Sequence, residues 1–354
     1  MSDPTVAFAR AVEALTLLRV ARYAVRLRAL SAVPLSGYLG STLRGALGYA
    51  LKASVCVMDH RNCATCLLRD TCAYSVCFES PTPASAGILR RNSHRPHPFV
   101  LEPPVDVARE LQPGDDLAFR LTLVGRGCEY LPYFVLAFRS MGEAGLGVTR
   151  ARMKLEEVVA ERREQSHLIY RDGSSTLAAQ PAPLMLGDLL MPGDELVRQL
   201  TLHLVTPARL QANGRLVREL DFAILFSRLL DRLSSLSRFY AGTPLGVDFR
   251  AEKEAAQAVR TVRSDLQWVE WERFSSRQQA AMKLGGIVGR LALEGSLGRF
   301  MPYLRLGEYV HVGNGTAFGL GEMRVEAPGG LSETRNDACS PRDSVSFEPH
   351  AQTL

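Results

Sequence analysis

The sequence predicts an α+β protein of two tandem ferredoxin-like domains, the first carrying a cysteine-rich, metal-binding insertion. Three observations predict this fold. The element order strand, helix, strand, strand, helix, strand (βαββαβ) occurs twice. A stretch punctuated by proline and glycine separates the two halves, and four cysteines crowd into 17 residues of the first half. The order βαββαβ is that of the split-βαβ ferredoxin-like unit.

In the first half, hydrophobic period predicts each element. Residues 23–30 alternate apolar and basic side chains, as a half-buried strand does, and residues 117–124 place their leucines on one face. Leu43, Leu47 and Ala50 recur on one side of a helix. In chain order the elements are strand 23–30, helix 39–53, strand 98–101, strand 117–124, helix 131–141 and strand 149–159.

The second half repeats the order. Apolar residues from Phe222 to Leu236 recur at helical spacing, and residues 268–274 form a strand with aromatic ends. In chain order the elements are strand 200–209, helix 222–236, strand 268–274, strand 286–293, helix 297–306 and strand 318–326.

These elements divide the chain into four parts. Residues 1–160 form the first domain, with the cysteine-rich insertion at about 55–97, and residues 197–327 form the second. Residues 161–196 are polar and rich in turn-forming residues, and they are predicted to be a linker. Residues 328–354 lack hydrophobic periodicity and are predicted to be disordered.

Composition is that of a globular protein with a mild basic excess. Hydrophobic residues make up 46% and charged residues 22%, the net charge is +5 and the pI is about 8.9. The basic side chains are nearly all arginine. Arginine suits phosphate recognition, but a genome whose codons favour arginine explains this composition equally well. No apolar run reaches the ~18 residues of a membrane span, and the N-terminus lacks a signal-peptide pattern. We expect a cytoplasmic protein whose cysteines are thiols or metal ligands.

A glycine-rich loop at residues 312–321 is a candidate phosphate contact. Four glycines within nine residues allow backbone N–H groups to approach a phosphodiester closely. The loop precedes a strand, so it is not a dinucleotide fingerprint, and the alternative is a glycine-rich hairpin without a ligand. The candidate RNA contacts are Gly313, Asn314, Gly315, Thr316, Gly319 and Gly321.

The clustered cysteines predict a metal site. Four soft ligands, including a Cys-x2-Cys pair, can close a tetrahedral thiolate site. Zinc is the expected metal, and an iron–sulfur cluster has the same ligand chemistry. His60 can replace one of the cysteine ligands. The alternative is that the cysteines bind no metal. Such a closed site is structural and holds the insertion beside the first helix. The predicted ligands are Cys56, Cys63, Cys66 and Cys72.

A basic and polar segment follows the strand at 268–274. Its side chains can contact phosphates and base edges, with Trp268 or Trp271 available for stacking, unless the tryptophans belong to the core. The candidate contacts are Arg273, Arg277, Gln278 and Lys283.

These motifs together resemble a known family. Residues 307–321 and 268–278, with the runs Gly40-Ser41-Thr42-Leu43-Arg44-Gly45-Ala46-Leu47-Gly48 and Leu131-Pro132-Tyr133-Phe134, are similar to the CRISPR precursor-crRNA-processing endoribonucleases of the RAMP superfamily. The resemblance runs from about residue 20 to 326. It implies two tandem ferredoxin-like domains, which matches the repeated βαββαβ order.

The resemblance also implies a reaction and its residues. Such enzymes cleave repeat RNA without a metal: the adjacent 2′-OH attacks the phosphate, leaving a 2′,3′-cyclic phosphate, and an acid and a base assist. Many relatives carry a histidine on the first helix where this chain has Tyr49. The candidate catalytic residues are therefore Tyr49, Arg44, Lys52 and His311.

The expected partners follow from the same resemblance. CRISPR repeat RNA or crRNA is the principal partner, subunits of a CRISPR effector complex are further ones, and the chain is a monomer or homodimer. Structural zinc is the expected cofactor, with no catalytic metal. Because Tyr49 replaces the helix histidine, the alternative is a catalytically inactive crRNA-binding RAMP subunit.

Overall fold

The computed structural model describes nine stretches of the chain, which are residues 4–35, 38–58, 62–81, 95–105, 110–147, 149–163, 165–212, 214–275 and 280–327. Within 271–275 and 280–284 it describes the backbone alone.

The first domain is built on a five-stranded antiparallel sheet of order β2-β3-β1-β4-β5. The order of its first four strands is that of a ferredoxin-like unit, with β5 added at one edge. Alternation of apolar and polar residues in β1 buries Tyr23, Val25 and Leu27 on one face. The strands are β1 (Val20–Ala29), β2 (Phe99–Glu102), β3 (Asp116–Val124), β4 (Met153–Glu161) and β5 (Ser166–Arg171).

Helices cover the apolar face of this sheet. α2 (Leu39–Val55) and α3 (Leu131–Ala144) contact each other and bury Leu43, Leu47 and Phe138. Phe119 of β3 meets the ring of Phe138 edge to face, with 5.4 Å between centroids. The first domain therefore has the layered α+β core that the sequence predicts.

The second domain repeats this architecture. Its four-stranded antiparallel sheet has the order β7-β8-β6-β9, and α4 and α6 pack on it around Phe226 and Phe300. Asp221 caps α4 by accepting a hydrogen bond from the Ile224 N–H. The elements are β6 (Gln199–Ala208), α4 (Phe222–Leu236), α5 (Phe249–Gln257), β7 (Arg260–Ser275), β8 (Ala280–Glu294), α6 (Met301–Val310) and β9 (Met323–Glu326). Two tandem ferredoxin-like domains are thus confirmed.

Two elements differ from the predicted organisation. The stretch predicted as a linker contains β5, whose Ile169 and Tyr170 are buried where the strand extends the first sheet beyond β4. An N-terminal helix, α1 (Pro4–Leu15), packs on α6 and buries Ala11 and Leu15 in the core of the second domain. Both segments therefore belong to the folded cores. The loop-like composition around β5 and the terminal position of α1 do not predict these roles.

Across the described residues, no helix combines the length and apolar character needed to cross a lipid bilayer.

Candidate functional site

Helix α2 lies between the cysteine-rich insertion and the glycine-rich loop. Its N-terminal turn touches the loop so closely that a Cβ atom on Gly40 would lie 1.9 Å from the Phe318 carbonyl oxygen. Gly45, Tyr49 and Ala53, four residues apart, form an exposed stripe on the helix. The helix thus presents one open face beside the junction of the two domains.

Tyr49 and Lys52 lie on this open region of α2. The Tyr49 side chain is 73% exposed, so its phenol is available to a ligand. The Lys52 ammonium lies 5.1 Å from the centroid of the Tyr74 ring, a cation–π contact that holds the long side chain against the insertion. These two predicted site residues are therefore accessible neighbours on one helix.

Arg44 occupies a different environment, between the domains. Its guanidinium lies 4.6 Å from the ring centroid of Phe318 and 5.3 Å from that of Phe78. One terminal nitrogen, Nη2, is 3.1 Å from Nε2 of His97. Arg44 thus joins α2 to the glycine-rich loop through stacking and approaches a histidine to which the sequence assigned no role.

His97 is held as a neutral ring. Its Nδ1 lies 3.0 Å from the Cys77 carbonyl oxygen, so Nδ1–H donates there and Nε2 accepts from Arg44. Burial and the charge of Arg44 lower the pKa of His97 to about 4. A histidine of that pKa is neutral at physiological pH, and its position just before β2 carries no sequence signal of this contact.

The structure contradicts the assignment of His311 as an acid or base for RNA. His311 follows α6 with φ +61°, and its side chain has no exposed surface. Nδ1 is 3.2 Å from the Leu320 carbonyl oxygen, and Nε2 is 3.7 Å from Oε1 of Glu102. A side chain enclosed between the domains cannot reach a ribose hydroxyl in this conformation.

Glu102, the neighbour of His311, belongs to a buried ion pair. Arg22 Nη2 lies 3.0 Å from Glu102 Oε1, and the guanidinium packs 4.0 Å from the ring centroid of Tyr309. Burial by itself raises the pKa of Glu102, but the Arg22 guanidinium and His311 hold it well below its usual range. Arg22 also donates to the Glu308 carbonyl oxygen at 2.6 Å, so this group fastens the first sheet to α6.

The second half of the glycine-rich loop is packed and not open to RNA, which corrects the assignment of three predicted contacts. Gly319, Gly321 and Thr316 are buried. A Cβ on Gly319 would lie 2.4 Å from Pro103 Cδ, and the N–H groups of Gly319 and Gly321 donate to carbonyl oxygens of the protein. Gly319 allows the loop to pack closely against the first domain, and Gly321 allows close packing within the loop, against Val312.

The first half of the loop remains accessible. Asn314 is exposed and Gly313 and Gly315 are partly exposed, while the Asn314 N–H donates to the Arg209 carbonyl oxygen. The assignment of these three residues as RNA contacts stays a prediction.

The second basic segment lies largely outside the described residues. Arg277 and Gln278 are not described, and of Arg273 and Lys283 only the backbone is, near the end of the β7–β8 hairpin. Their assignment as RNA contacts also stays a prediction.

The four predicted metal ligands line one small pocket at the end of α2. The Leu68 N–H donates to the Cys66 sulfur at 3.4 Å. Within the described part of the chain, however, no three His, Cys, Asp or Glu side chains are arranged to hold a metal ion. The donors fit a soft metal but their geometry is not assembled, so the site stays a prediction. The cysteines are Cys56, Cys63, Cys66 and Cys72.

The open face of the first sheet is an unfavourable RNA platform. Its arginines are engaged by carboxylates on neighbouring strands, with Arg26 3.1 Å from Asp116 and Arg120 3.0 Å from Glu161. Arg28 also contacts Asp116, at 3.2 Å. The charges of this face are therefore largely compensated.

Comparisons with known proteins agree with this fold. Residues 202–323 match the family model of the CRISPR-associated endoribonuclease Cas6. Residues 17–182 match a family model described as an N-terminal domain. No curated protein sequence matches the chain.

Solved structures share the two-domain fold. A Cas6 product complex superimposes with a TM-score of 0.53 and 17% identity, over 86% of this chain and 99% of the other. Thermus thermophilus Cas6 gives 0.51 and 15%, over 87% and 98%. A chain of a partial Cas6-RT-Cas1--Cas2 complex gives 0.54 and 14%, over 88% of this chain and 46% of that one.

At these identities the structural likeness concerns the fold, and the family match adds the class of protein. The match to the Cas6 endoribonuclease family lies in the second domain, and together with the shared two-domain fold it supports a CRISPR repeat-processing protein of the Cas6 type.

Proposed function

We propose that this protein binds the repeat of precursor crRNA and cleaves it by metal-independent attack of the 2′-OH on the adjacent phosphate. The observation that carries the proposal is the Cas6 family match on a doubled ferredoxin-like fold. The products are a 2′,3′-cyclic phosphate and a 5′-OH, and the reaction needs proton transfer and stabilisation of charge on the phosphate.

The open face of α2 supplies the groups for this chemistry. The exposed Tyr49 phenol orients the attacking ribose or donates a proton to the leaving oxygen, since a phenol is a weaker base than the imidazole of histidine. The Lys52 ammonium, held beside Tyr74, stabilises charge developing on the phosphate. Gly313 and Gly315 contact the RNA backbone from the second domain.

The test is cleavage of the host's own repeat RNA in EDTA, with mapping of both product ends. Tyr49→Phe should slow cleavage by roughly 100-fold at unchanged RNA affinity, the scale of a lost proton-transfer group. Tyr133→Phe is the matched control, because Tyr133 is a half-exposed tyrosine on the neighbouring helix α3. Equal rates in both variants would remove Tyr49 from the reaction.

The positions of the histidines favour a second candidate function. No histidine lies on α2, and the His311 side chain is buried. The His97 ring is neutral at physiological pH because burial and the charge of Arg44 lower its pKa. A chain with this arrangement can bind crRNA as a non-catalytic RAMP subunit. Tight binding of full-length repeat RNA with no cleavage by the wild-type protein would select this alternative.

We also propose that the cysteine-rich insertion holds a structural zinc ion. The four cysteines that line the pocket at the end of α2 supply its ligands, and the metal would fasten the insertion that carries Tyr74 against Lys52.

A further inference from the structure

His311 joins α6 to the glycine-rich loop through a strained backbone. Its φ of +61° and ψ of 174° fall in a region that few residues other than glycine adopt. Its side chain is nevertheless fully buried. Such strain persists only where the surrounding structure holds the residue in place, so the contacts of the imidazole ring have to offset it.

Both ring nitrogens of His311 face oxygen atoms that only accept hydrogen bonds. Nδ1 lies 3.2 Å from the Leu320 carbonyl oxygen, and Nε2 lies 3.7 Å from Oε1 of Glu102. The Glu102 carboxyl is ionised, because Arg22 and His311 outweigh burial and hold its pKa well below the usual range. A neutral imidazole has one N–H and can serve one of these oxygens, whereas an imidazolium has a donor for each.

The Nε2 atom of His311 gives a second, independent indication. It is buried and, in the part of the chain that the structure describes, has no hydrogen-bond partner. As the bare nitrogen of a neutral ring it is a buried acceptor without a donor, which is costly. A proton on Nε2 turns this atom into a charged donor beside a carboxylate, which is the favourable arrangement.

The remaining charged groups of the elements packed here do not replace this carboxylate. Arg22 of β1 lies 3.0 Å from Glu102 and packs on the Tyr309 ring, and Arg232 of α4 donates to the last carbonyl oxygen of α6. These two cations oppose a charge on the imidazole. Burial raises the pKa of Tyr38, before α2, so that hydroxyl stays neutral. The other charged groups pair with one another at 3.0 to 3.2 Å, and these pairs are Arg120 with Glu161, Glu308 with Arg305 and Glu322 with Arg324. Among the described residues, Glu102 is therefore the carboxylate placed to balance a charged ring.

We propose that His311 takes up a second proton from solvent and, as an imidazolium, ties the start of the glycine-rich loop to Glu102 of the first domain. The charged ring gains a contact that the neutral ring lacks. The lock between the domains is therefore closed at lower pH and opens as the pH rises and the ring gives up its proton. This inference concerns how the two domains are joined and does not rest on the proposed cleavage of RNA.

The first experiment observes the ring nitrogens directly. The full-length protein is labelled with ¹⁵N at histidine, and NMR spectra are recorded at about pH 6, within the range where histidine changes charge. His311 should carry a proton on both nitrogens. His97 is the internal control, because burial lowers its pKa to about 4 and leaves one nitrogen bare at this pH. The His311 signals are those missing from His311→Gly, a variant whose glycine suits the positive φ. A bare Nε2 on His311 at this pH overturns the proposal.

The second experiment asks whether the proton joins the domains. The loss of thermal midpoint caused by His311→Gly should be larger at about pH 6 than at about pH 8, by roughly 3 °C. In a Glu102→Gln background this pH dependence should disappear. His203→Gln is the control of opposite sign, because burial and the charges of Arg290 and Arg324 lower the pKa of His203. Equal losses for His311→Gly at both pH values mean that the ring acts by packing alone, and they overturn the lock.

Discussion

Arg22 and Glu102 form a buried ion pair, 3.0 Å between Nη2 and Oε1, where the first sheet meets α6 of the second domain. Removing one partner leaves the other charge buried and uncompensated, which is more damaging than the loss of an exposed pair. This pair therefore governs how firmly the two domains are joined.

Glu102→Gln should lower the free energy of unfolding by about 3 kcal/mol, because Arg22 keeps its charge. Glu143→Gln breaks an exposed ion pair with Arg139 on α3 and should change the free energy of unfolding by less than about 1 kcal/mol. Urea unfolding at pH 7 measures both. Because the pKa of Glu102 is lowered by folding, its contribution is full above about pH 4.5 and declines as the pH falls below that value. Similar losses in both variants would contradict the buried role.

The glycine-rich loop should be sensitive to a single methyl group. Gly319 has φ +86° and a Cβ there would meet Pro103 and the Leu101 carbonyl oxygen, so Gly319→Ala should cost about 3 kcal/mol. Gly45→Ala, in an open part of α2, should stabilise by up to about 1 kcal/mol. Thermal unfolding compares the two, and a neutral Gly319→Ala would show that the loop is not packed as described.

Sequence and structure agree where hydrophobic period alone determines an element. The helical spacing from Phe222 to Leu236 reproduces α4, because the phenylalanines and leucines in that series are buried. The sequence predicts that glycines of this loop contact RNA, yet Gly319 packs against the first domain and Gly321 packs against Val312 within the loop. Glycine composition indicates close approach of a backbone, but it does not say whether a ligand or the protein itself approaches.

The contacts of the interdomain seam could not be predicted for a related reason. His97 and Arg44 are 53 positions apart in sequence, and Arg232 belongs to the other domain. Contacts between residues so far apart in sequence depend on how the two sheets are placed relative to each other. The local spacing of apolar residues does not predict them. The sequence places His311 beside the loop, but it does not show that the residue lies at the end of α6 against Glu102, where it is buried.

His97 should make stability depend on pH between about 4 and 6.5. Its pKa is lowered by folding to about 4, so the unfolded chain binds a proton in this range while the native protein does not. The free energy of unfolding should therefore fall as the pH falls, by at most about 1.4 kcal/mol per pH unit.

His97→Gln should flatten this slope relative to wild type. Burial also lowers the pKa of His203, so this residue contributes to the slope with the same sign and His203→Gln serves as the comparison. Urea titrations at pH 4.5 and 7 give the difference, and an unaltered slope in His97→Gln would contradict the neutral state assigned to the ring.

Lys52 should contribute to cleavage and little to folding. Lys52→Met keeps the apolar stem against Tyr74 and removes the charge, so cleavage should slow by about 100-fold with a small change in thermal midpoint. Lys253→Met, which breaks a pair with Asp231 at 3.0 Å on the second domain, is the control. Single-turnover cleavage with saturating protein separates the chemical step from binding, and equal rates for the two variants would exclude the ammonium from the reaction.

The cysteine-rich insertion gives the remaining prediction, because its four cysteines share a pocket without an assembled ligand set. Protein purified without added metal should contain about one zinc ion per chain if these thiols close around it. Cys63→Ser should lose the metal and lower the thermal midpoint by several degrees, since a ligand bound only to the native state stabilises it. Cys128→Ser, at a buried cysteine outside the pocket, should keep the zinc. Elemental analysis and thermal unfolding on the same samples test this prediction. Wild-type protein without metal, together with equal stability of Cys63→Ser and Cys128→Ser, would contradict it. The cysteines would then be unligated, and packing of Tyr74 alone would hold the insertion on α2.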